Sequence, residues 1–156
     1  MCLTEEEYKD RIMSHKLSVK AGIQRVIDIL FSRGQHHDDD KLIPEVFNEF
    51  YPVSDKFNGV KFGSEKYNQA LKELQPILKK HYAISPHHPE FYENGINGMT
   101  LIDLIEMLID WKSASSAYGD SFGDSMEIAK KRFGIDEQLF EVLKNTAKSL
   151  GYMEDK

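Results

Sequence analysis

A histidine followed directly by an aspartate, His37-Asp38, sits in the run His36-His37-Asp38-Asp39-Asp40-Lys41. Neutral imidazole nitrogen and carboxylate oxygen suit borderline and hard divalent ions, so the pair is a unit of metal chemistry. Alone it is weak. It has company, though: His15 lies upstream, His81, His87 and His88 follow, and Asp110 comes later. In chain order, a histidine, a His-Asp pair, further histidines and an aspartate make a ligand set for one or two ions. Each member has a plainer reading by itself. His15 could cap or decorate a helix start, Asp38 to Asp40 could be a solvated loop, and His87-His88 before Pro89 could be an exposed turn. The joint pattern is what points to a metal.

A second set of acids lies in residues 100–117, where leucine, isoleucine, methionine and Trp111 cover most of a helical circumference. A helix that is apolar nearly all round belongs in a core. Asp103, Glu106 and Asp110 interrupt it. At about 100° per residue, Glu106 falls about 60° and Asp110 about 20° from Asp103, so all three share one stripe. Burying like charges costs several kcal/mol per ion unless cations or donors meet them. A divalent ion facing the stripe would answer that cost and also explain the histidines. Lysines or arginines could serve instead, and a solvated polar seam is the plain alternative.

The elements that must position these residues read as helices. Thr4 and Glu7 form a capping box for a short first helix. Val19, Ile23, Val26, Ile27, Leu30 and Phe31 give residues 14–33 one apolar face, with His15 on it and Gly34 as a left-handed stop. Pro44 opens a short helix through Phe50, and residues 51–63 read as a loop or small hairpin. Ser64 caps the next helix, whose stripe of Tyr67, Ala70, Leu71, Leu74, Leu78 and Tyr82 has His81 beside it. Pro76 should kink that helix or start a new turn. Residues 84–99 read as irregular. A helix from about Asp124 stops at Gly134, and a last one is capped by Asp136, with Ile135 and Phe140 as a hydrophobic staple. No strand signal exceeds a few residues.

The totals bound the function. At 156 residues, 40% hydrophobic and 29% charged, the chain has the composition of a globular protein of one domain. A net charge of −6 argues against a duplex nucleic-acid partner, which needs a basic face. A small anion remains open, because a metal can reverse the local potential. Cys2 is the lone cysteine, so an intrachain disulfide and a cysteine zinc site are both excluded. The acidic start does not read as a signal peptide, and no apolar run approaches the roughly 20 residues of a membrane span. The expectation is cytoplasmic.

With these residues in view, the chain resembles the HD-domain superfamily of metal-dependent phosphohydrolases, and in particular small HD-like proteins of bacteria and their viruses. The match is His15 opening a helix, His37-Asp38 after it with Lys41 three residues beyond, and Asp110 on a later buried helix. The stretch from His81 through His87-His88-Pro89 to Gly98 is similar to the added histidines of two-metal members. The resemblance covers about residues 14–135. It implies an all-α, single-domain bundle of about six to seven helices spanning residues 1–156. It further implies His15, His37, Asp38 and Asp110 as the primary ligands, with Asp38 bridging to a second ion held by His81 and either His87 or His88. His36 competes with His37 for registration. Lys41 would approach a phosphate, although Asp39 and Asp40 stand where relatives often carry small or apolar residues.

The expected activity is hydrolysis of a phosphate ester, a nucleotide foremost, by water activated on one or two ions of manganese, iron, cobalt, nickel or zinc. Asp103 or Glu106 would orient that water or take its proton, and Lys41 would bind phosphate. Lys112 points to another side of its helix and reads as solvated. Tyr51, Phe57, Phe62, Phe91 and Tyr92 lie in irregular segments, where one or two could stack on a base. Two other readings keep the fold: a di-iron oxygenase, and a silent protein that binds a nucleotide or partner without turnover. A homodimer is compatible with either, since dimers are common among similar proteins.

Overall fold

The structure is a computed structural model. It describes residues 3–154 except Asn58, Lys61, Phe62, Gly119 and Asp120, and the side chains of Ala117 and Tyr118 also stand outside the description. The described residues are all-α: six α-helices with four short 3-10 segments between them, and no strand. No described helix is long and apolar enough to cross a membrane. The chain divides into two compact units, one ending at His37 and the other beginning at Asp38.

The first unit is one helix, α1, Glu5–His36. Thr4 caps it: its hydroxyl accepts from the Glu7 amide at 3.2 Å, and its own amide donates to the Glu7 carboxylate at 2.7 Å. The short first helix expected from that box continues without a break through Ser14 to His36. Gly34 is helical rather than a stop, because the left-handed turn falls four residues later, at Asp38 with φ 61°. None of α1 is buried, and Ile23, Ile27 and Phe31 are each more than half exposed. The apolar face expected to carry His15 into a core is thus exposed, His15 with it. A single helix cannot bury its own stripe.

The second unit holds the remaining helices: α2 (Pro44–Ser54), α3 (Glu65–Tyr82), α4 (Leu101–Tyr118), α5 (Phe122–Phe133) and α6 (Glu137–Ser149). Pro44 stands in the first turn of α2, where its missing N–H would have had no partner. The helix runs past Phe50, through Pro52, and gives way to a 3-10 turn at Asp55–Phe57. That replaces the loop or hairpin expected there; Phe62 lies outside the described residues. Ser64 caps α3 by accepting from the Tyr67 amide at 3.2 Å. Pro76 breaks nothing: α3 continues through it to Tyr82.

Ala70, Leu74, Leu78 and His81 of α3 are buried, and their i, i+4, i+8, i+11 spacing makes one stripe. His81 therefore ends a core stripe rather than lying beside it. The main core comes from Leu104, Met107 and Leu108 of α4, Phe122 and Met126 of α5, and Phe140, Leu143 and Ala147 of α6, closed by Ile96 and Ile135. Trp111 stacks on Phe133 at 5.8 Å with planes 6° apart. Gly134 ends α5 in the left-handed region, and the staple partners Ile135 and Phe140 are both buried. This packing fixes α4, which carries Asp103 and Glu106, while α3, which carries His81, packs against α2.

Candidate metal centre

Three imidazoles meet in the second unit. His81 arrives on the last turn of α3, while His87 and His88 arrive on the tight chain after it. There the His88 amide donates to the Ser85 carbonyl at 3.0 Å and the Phe91 amide to the His88 carbonyl at 3.1 Å. The His87 and His88 ring centres are 4.3 Å apart, and those of His81 and His88 are 4.9 Å apart. His81 is 1% exposed and His87 5%. Asp38 and Asp40 reach the same place from the left-handed residue and the 3-10 turn that it starts.

The distances resolve two layers. His81 Nδ1 lies 2.7 Å from Asp40 Oδ2, with the Ser85 hydroxyl at 3.1 Å. A carboxylate only accepts, so Nδ1 carries the proton and Nε2 keeps its lone pair. That Nε2 faces His88 Nε2 at 3.0 Å and Asp38 Oδ1 at 3.4 Å. His87 Nε2 lies 3.6 Å from the same Asp38 oxygen, and its Nδ1 lies 3.4 Å from Glu106 Oε1. Asp38 Oδ1 thus lies between His81 and His87, His88 faces His81, and two further carboxylates, Asp40 and Glu106, stand behind His81 and His87 respectively.

Burial and the Lys41 charge push the His81 pKa down. Burial, then the neighbouring His87, His81 and Lys41, pushes the His88 pKa down to about 2. Both rings are neutral at ordinary pH. The lone pair of His81 therefore faces the lone pairs of Asp38 at 3.4 Å, an arrangement that a cation between them relieves. The spacing fits one. Two atoms each about 2.1 Å from an ion lie about 3.0 Å apart at a right angle and about 3.4 Å apart at the tetrahedral angle. Charge agrees as well. Asp38, Asp40 and Glu106 bring carboxylates to the rings, with Asp110 near His87, against the ammonium of Lys41, so the surroundings of the rings are net acidic. Metal-bound histidines commonly donate their other N–H to a carboxylate, as His81 does to Asp40.

The residues expected from the sequence divide. His81, His87, His88 and Asp38 converge. Asp110 is half-buried on α4, with a carboxylate oxygen within 4.8 Å of a His87 ring nitrogen. His15 and His37 belong to the first unit, where His15 is exposed on α1 and His37 is its half-buried C-cap residue. His36 is exposed. Lys41 pairs with Asp38 Oδ2 at 2.6 Å. Lys112 lies over the Phe122 ring, against protein rather than water alone.

Asp103 stands among hydrogen-bond donors at the start of α4. Its Oδ2 accepts from the Thr100 amide at 2.8 Å, the Thr100 hydroxyl at 2.6 Å and the Tyr92 hydroxyl at 2.8 Å, while its own amide donates back to Thr100. Its stripe needed partners, and for Asp103 these are neutral donors that start α4. The water-orienting role expected of it has no free lone pair on that oxygen to use. Tyr92 is held by the same bond, and Gly98 leaves room for it: a Cβ there would fall 2.8 Å from Tyr92 Cβ.

Asp40 was missed as a site residue, because its run reads as solvated acid until a buried imidazole is found beside it. Beside the centre are two neighbouring cavities. One, of about 140 Å³, is lined by His88, Asp110, Trp111, Ser125 and Arg132 among others. The other, of about 290 Å³, includes Lys41, Phe50, Phe57 and Leu78, and both share Tyr67, Tyr82, Asp110, Ala114 and Arg132. Arg132 bonds Glu90 at 2.8 Å and also the Tyr82 hydroxyl, and it lies 4.8 Å over the Phe133 ring. Nothing in the sequence marks Arg132, which reads as one more base in the last turn of α5. No match was found among curated proteins or solved structures. Residues 4–150 match DUF5662, a family of unknown function, and the chain belongs to that family.

Proposed function

We propose that the protein is a metal-dependent phosphohydrolase acting on a small phosphate ester, in keeping with the resemblance to the HD-domain superfamily. The observation that carries the reading is a chain of close ligand atoms: His81 Nε2 lies 3.0 Å from His88 Nε2 and 3.4 Å from Asp38 Oδ1, which lies 3.6 Å from His87 Nε2, and each of the three histidines offers a ring nitrogen within 4.8 Å of the other two. Those four atoms would hold the ion. Asp40 fixes the His81 tautomer, and Glu106 does the same for His87. A divalent ion bound there supplies a Lewis acid that acidifies water and polarises a phosphoryl oxygen.

The chain's own residues supply the rest. Lys41 and Arg132 line the cavity next to the rings and offer positive charge to phosphoryl oxygens. Lys41 already shares its charge with Asp38, so phosphate would compete with that pair and loosen it. Glu106 is a positioning residue, acting through His87, and Asp103 holds the start of α4 in place. Phe50, Tyr67 and Tyr82 give the cavity aromatic walls that exclude water around a bound ester.

The test is metal analysis of the purified protein, followed by phosphate release from a nucleotide panel with manganese, iron, cobalt, nickel and zinc. The expected result is at least one ion per chain, lost in His81→Ala and His88→Ala together with turnover. Metal content near zero under every loading condition would remove the proposal. Unchanged phosphate release from the two variants would show that the catalyst lies elsewhere.

A further inference from the structure

The smaller cavity has features that the metal chemistry does not use. Its volume of about 140 Å³ is close to that of an engineered protein cavity of about 150 Å³ that takes up benzene. One six-membered ring fills such a space, and a fused bicycle exceeds it. Its lining carries four aromatic rings, Trp111 stacked on Phe133 together with Tyr67 and Tyr82, which suit a flat ring. Trp111, Tyr82 and Phe133 are held by contacts of their own, so the slot is formed before any ligand enters.

The slot is not purely apolar. Ser125 is 7% exposed, and its hydroxyl has no hydrogen-bond partner among the described residues. A serine inside a helix usually turns its hydroxyl onto the preceding turn or to water. Left unmade, such a buried hydroxyl is destabilising, which a ligand acceptor or donor in the slot would reverse. Arg132 lines the same slot and donates only, so a ring carbonyl suits it. His88 also lines the slot, and its Nε2 is one of the four converging atoms. A ring seated here therefore lies directly beside the metal centre.

We propose that this slot binds the base of a pyrimidine nucleoside, with Ser125 and Arg132 reading the ring's polar edge and the sugar entering the adjoining cavity that carries Lys41. The proposal names a substrate class for the site and in that respect rests on the phosphohydrolase reading. Ring recognition needs no turnover, however, so the two fail separately.

The test is calorimetric titration of the purified full-length chain with uridine, cytidine, adenosine, guanosine and phenol. Uridine or cytidine should bind at least tenfold more tightly than either purine nucleoside or phenol. Ser125→Ala should weaken pyrimidine binding by about three- to tenfold, the range of one hydrogen bond. The same variant should melt no lower than the wild type, since it removes an unpaired buried hydroxyl. Ala114→Trp, at an exposed position on the rim of both cavities, should abolish binding without unfolding the chain. Purine or phenol binding as tight as pyrimidine, no nucleoside binding, or full binding by Ala114→Trp would each overturn the proposal. Phosphate release without ring selectivity would sink it and leave the hydrolase standing; selective binding without phosphate release would do the reverse.

Discussion

Asp38 is the one non-glycine residue with positive φ among those described, at 61°. An L-residue in that region costs roughly 1–2 kcal/mol, and aspartate sits toward the lower end. Such strain persists where surrounding structure or function demands it. Replacing Asp38 with glycine removes the strain, but it frees the unfolded chain by roughly 0.5–1 kcal/mol in the other direction. It also deletes the pair with Lys41, whose two side chains are 32% and 28% exposed. A pair of that exposure is worth at most about 1 kcal/mol. These effects nearly cancel, so the metal-free Asp38→Gly protein should be within about 1 kcal/mol of wild type, or roughly 2–4 °C for a chain of this size.

With metal the two proteins should part. An ion at one hundred times its dissociation constant stabilises a folded site by about 2.7 kcal/mol. For wild type that is a rise of roughly 5–10 °C in Tm. Asp38→Gly should lose nearly all of it, because the oxygen facing both His81 and His87 is gone. Asp38→Asn keeps the backbone tolerance and loses the charge, and should lose most of it. The assay is thermal melting followed by circular dichroism, in EDTA and then in rising manganese or zinc. If Asp38→Gly keeps the wild-type rise, Asp38 does not hold the ion. If the metal-free variant melts more than about 5 °C below wild type, strain at this residue is not what its geometry reflects.

Other outcomes follow from the same contacts. Thr100→Ala removes the cap of α4 and should cost about 0.5–2 kcal/mol in denaturant melts while leaving metal content unchanged; lost metal would mean that Asp103 belongs to the centre after all. Gly98→Ala forces a Cβ to within 2.8 Å of Tyr92 Cβ and should destabilise by about 1–3 kcal/mol, measured in the same melts. Phe140→Ala opens the core at a residue only 2% exposed and should cost about 3–5 kcal/mol. Asp40→Ala should leave the ligand atoms present but free the His81 ring, lowering metal affinity about 10- to 100-fold by titration; an unchanged affinity would show that Asp40 does not orient it.

The helices were legible because their signals are local. Thr4, Ser64 and Asp136 cap as their spacing requires, and Gly134 stops α5 as a residue without a Cβ can. Boundaries failed where two local signals competed. Gly34 tolerates both the helix and the left-handed turn, so its presence could not say which it would adopt. Pro52 and Pro76 weaken a helix without ending it when packing on either side holds the turn. Burial failed differently. The stripe of α1 has the right period for a core face, but period says which residues share a side and nothing about what covers them.

The stripe of Asp103, Glu106 and Asp110 shows why a shared face does not mean a shared task. Each residue is about one turn from the next, and each turn of α4 meets a different neighbour. The first turn meets Thr100 and Tyr92, which donate protons and turn Asp103 into a cap. The second meets His87, whose Nδ1 faces Glu106. The third reaches the cavities that Arg132 lines. A sequence reports the row of charges but not the row of partners, and the partners decide which carboxylate is structural, which aims an imidazole and which faces a ligand. The histidines were subject to the same ambiguity: the sequence set His81 beside its stripe rather than at its end and offered only one of His87 and His88 as a ligand, because adjacency in the chain says nothing about where a turn folds back.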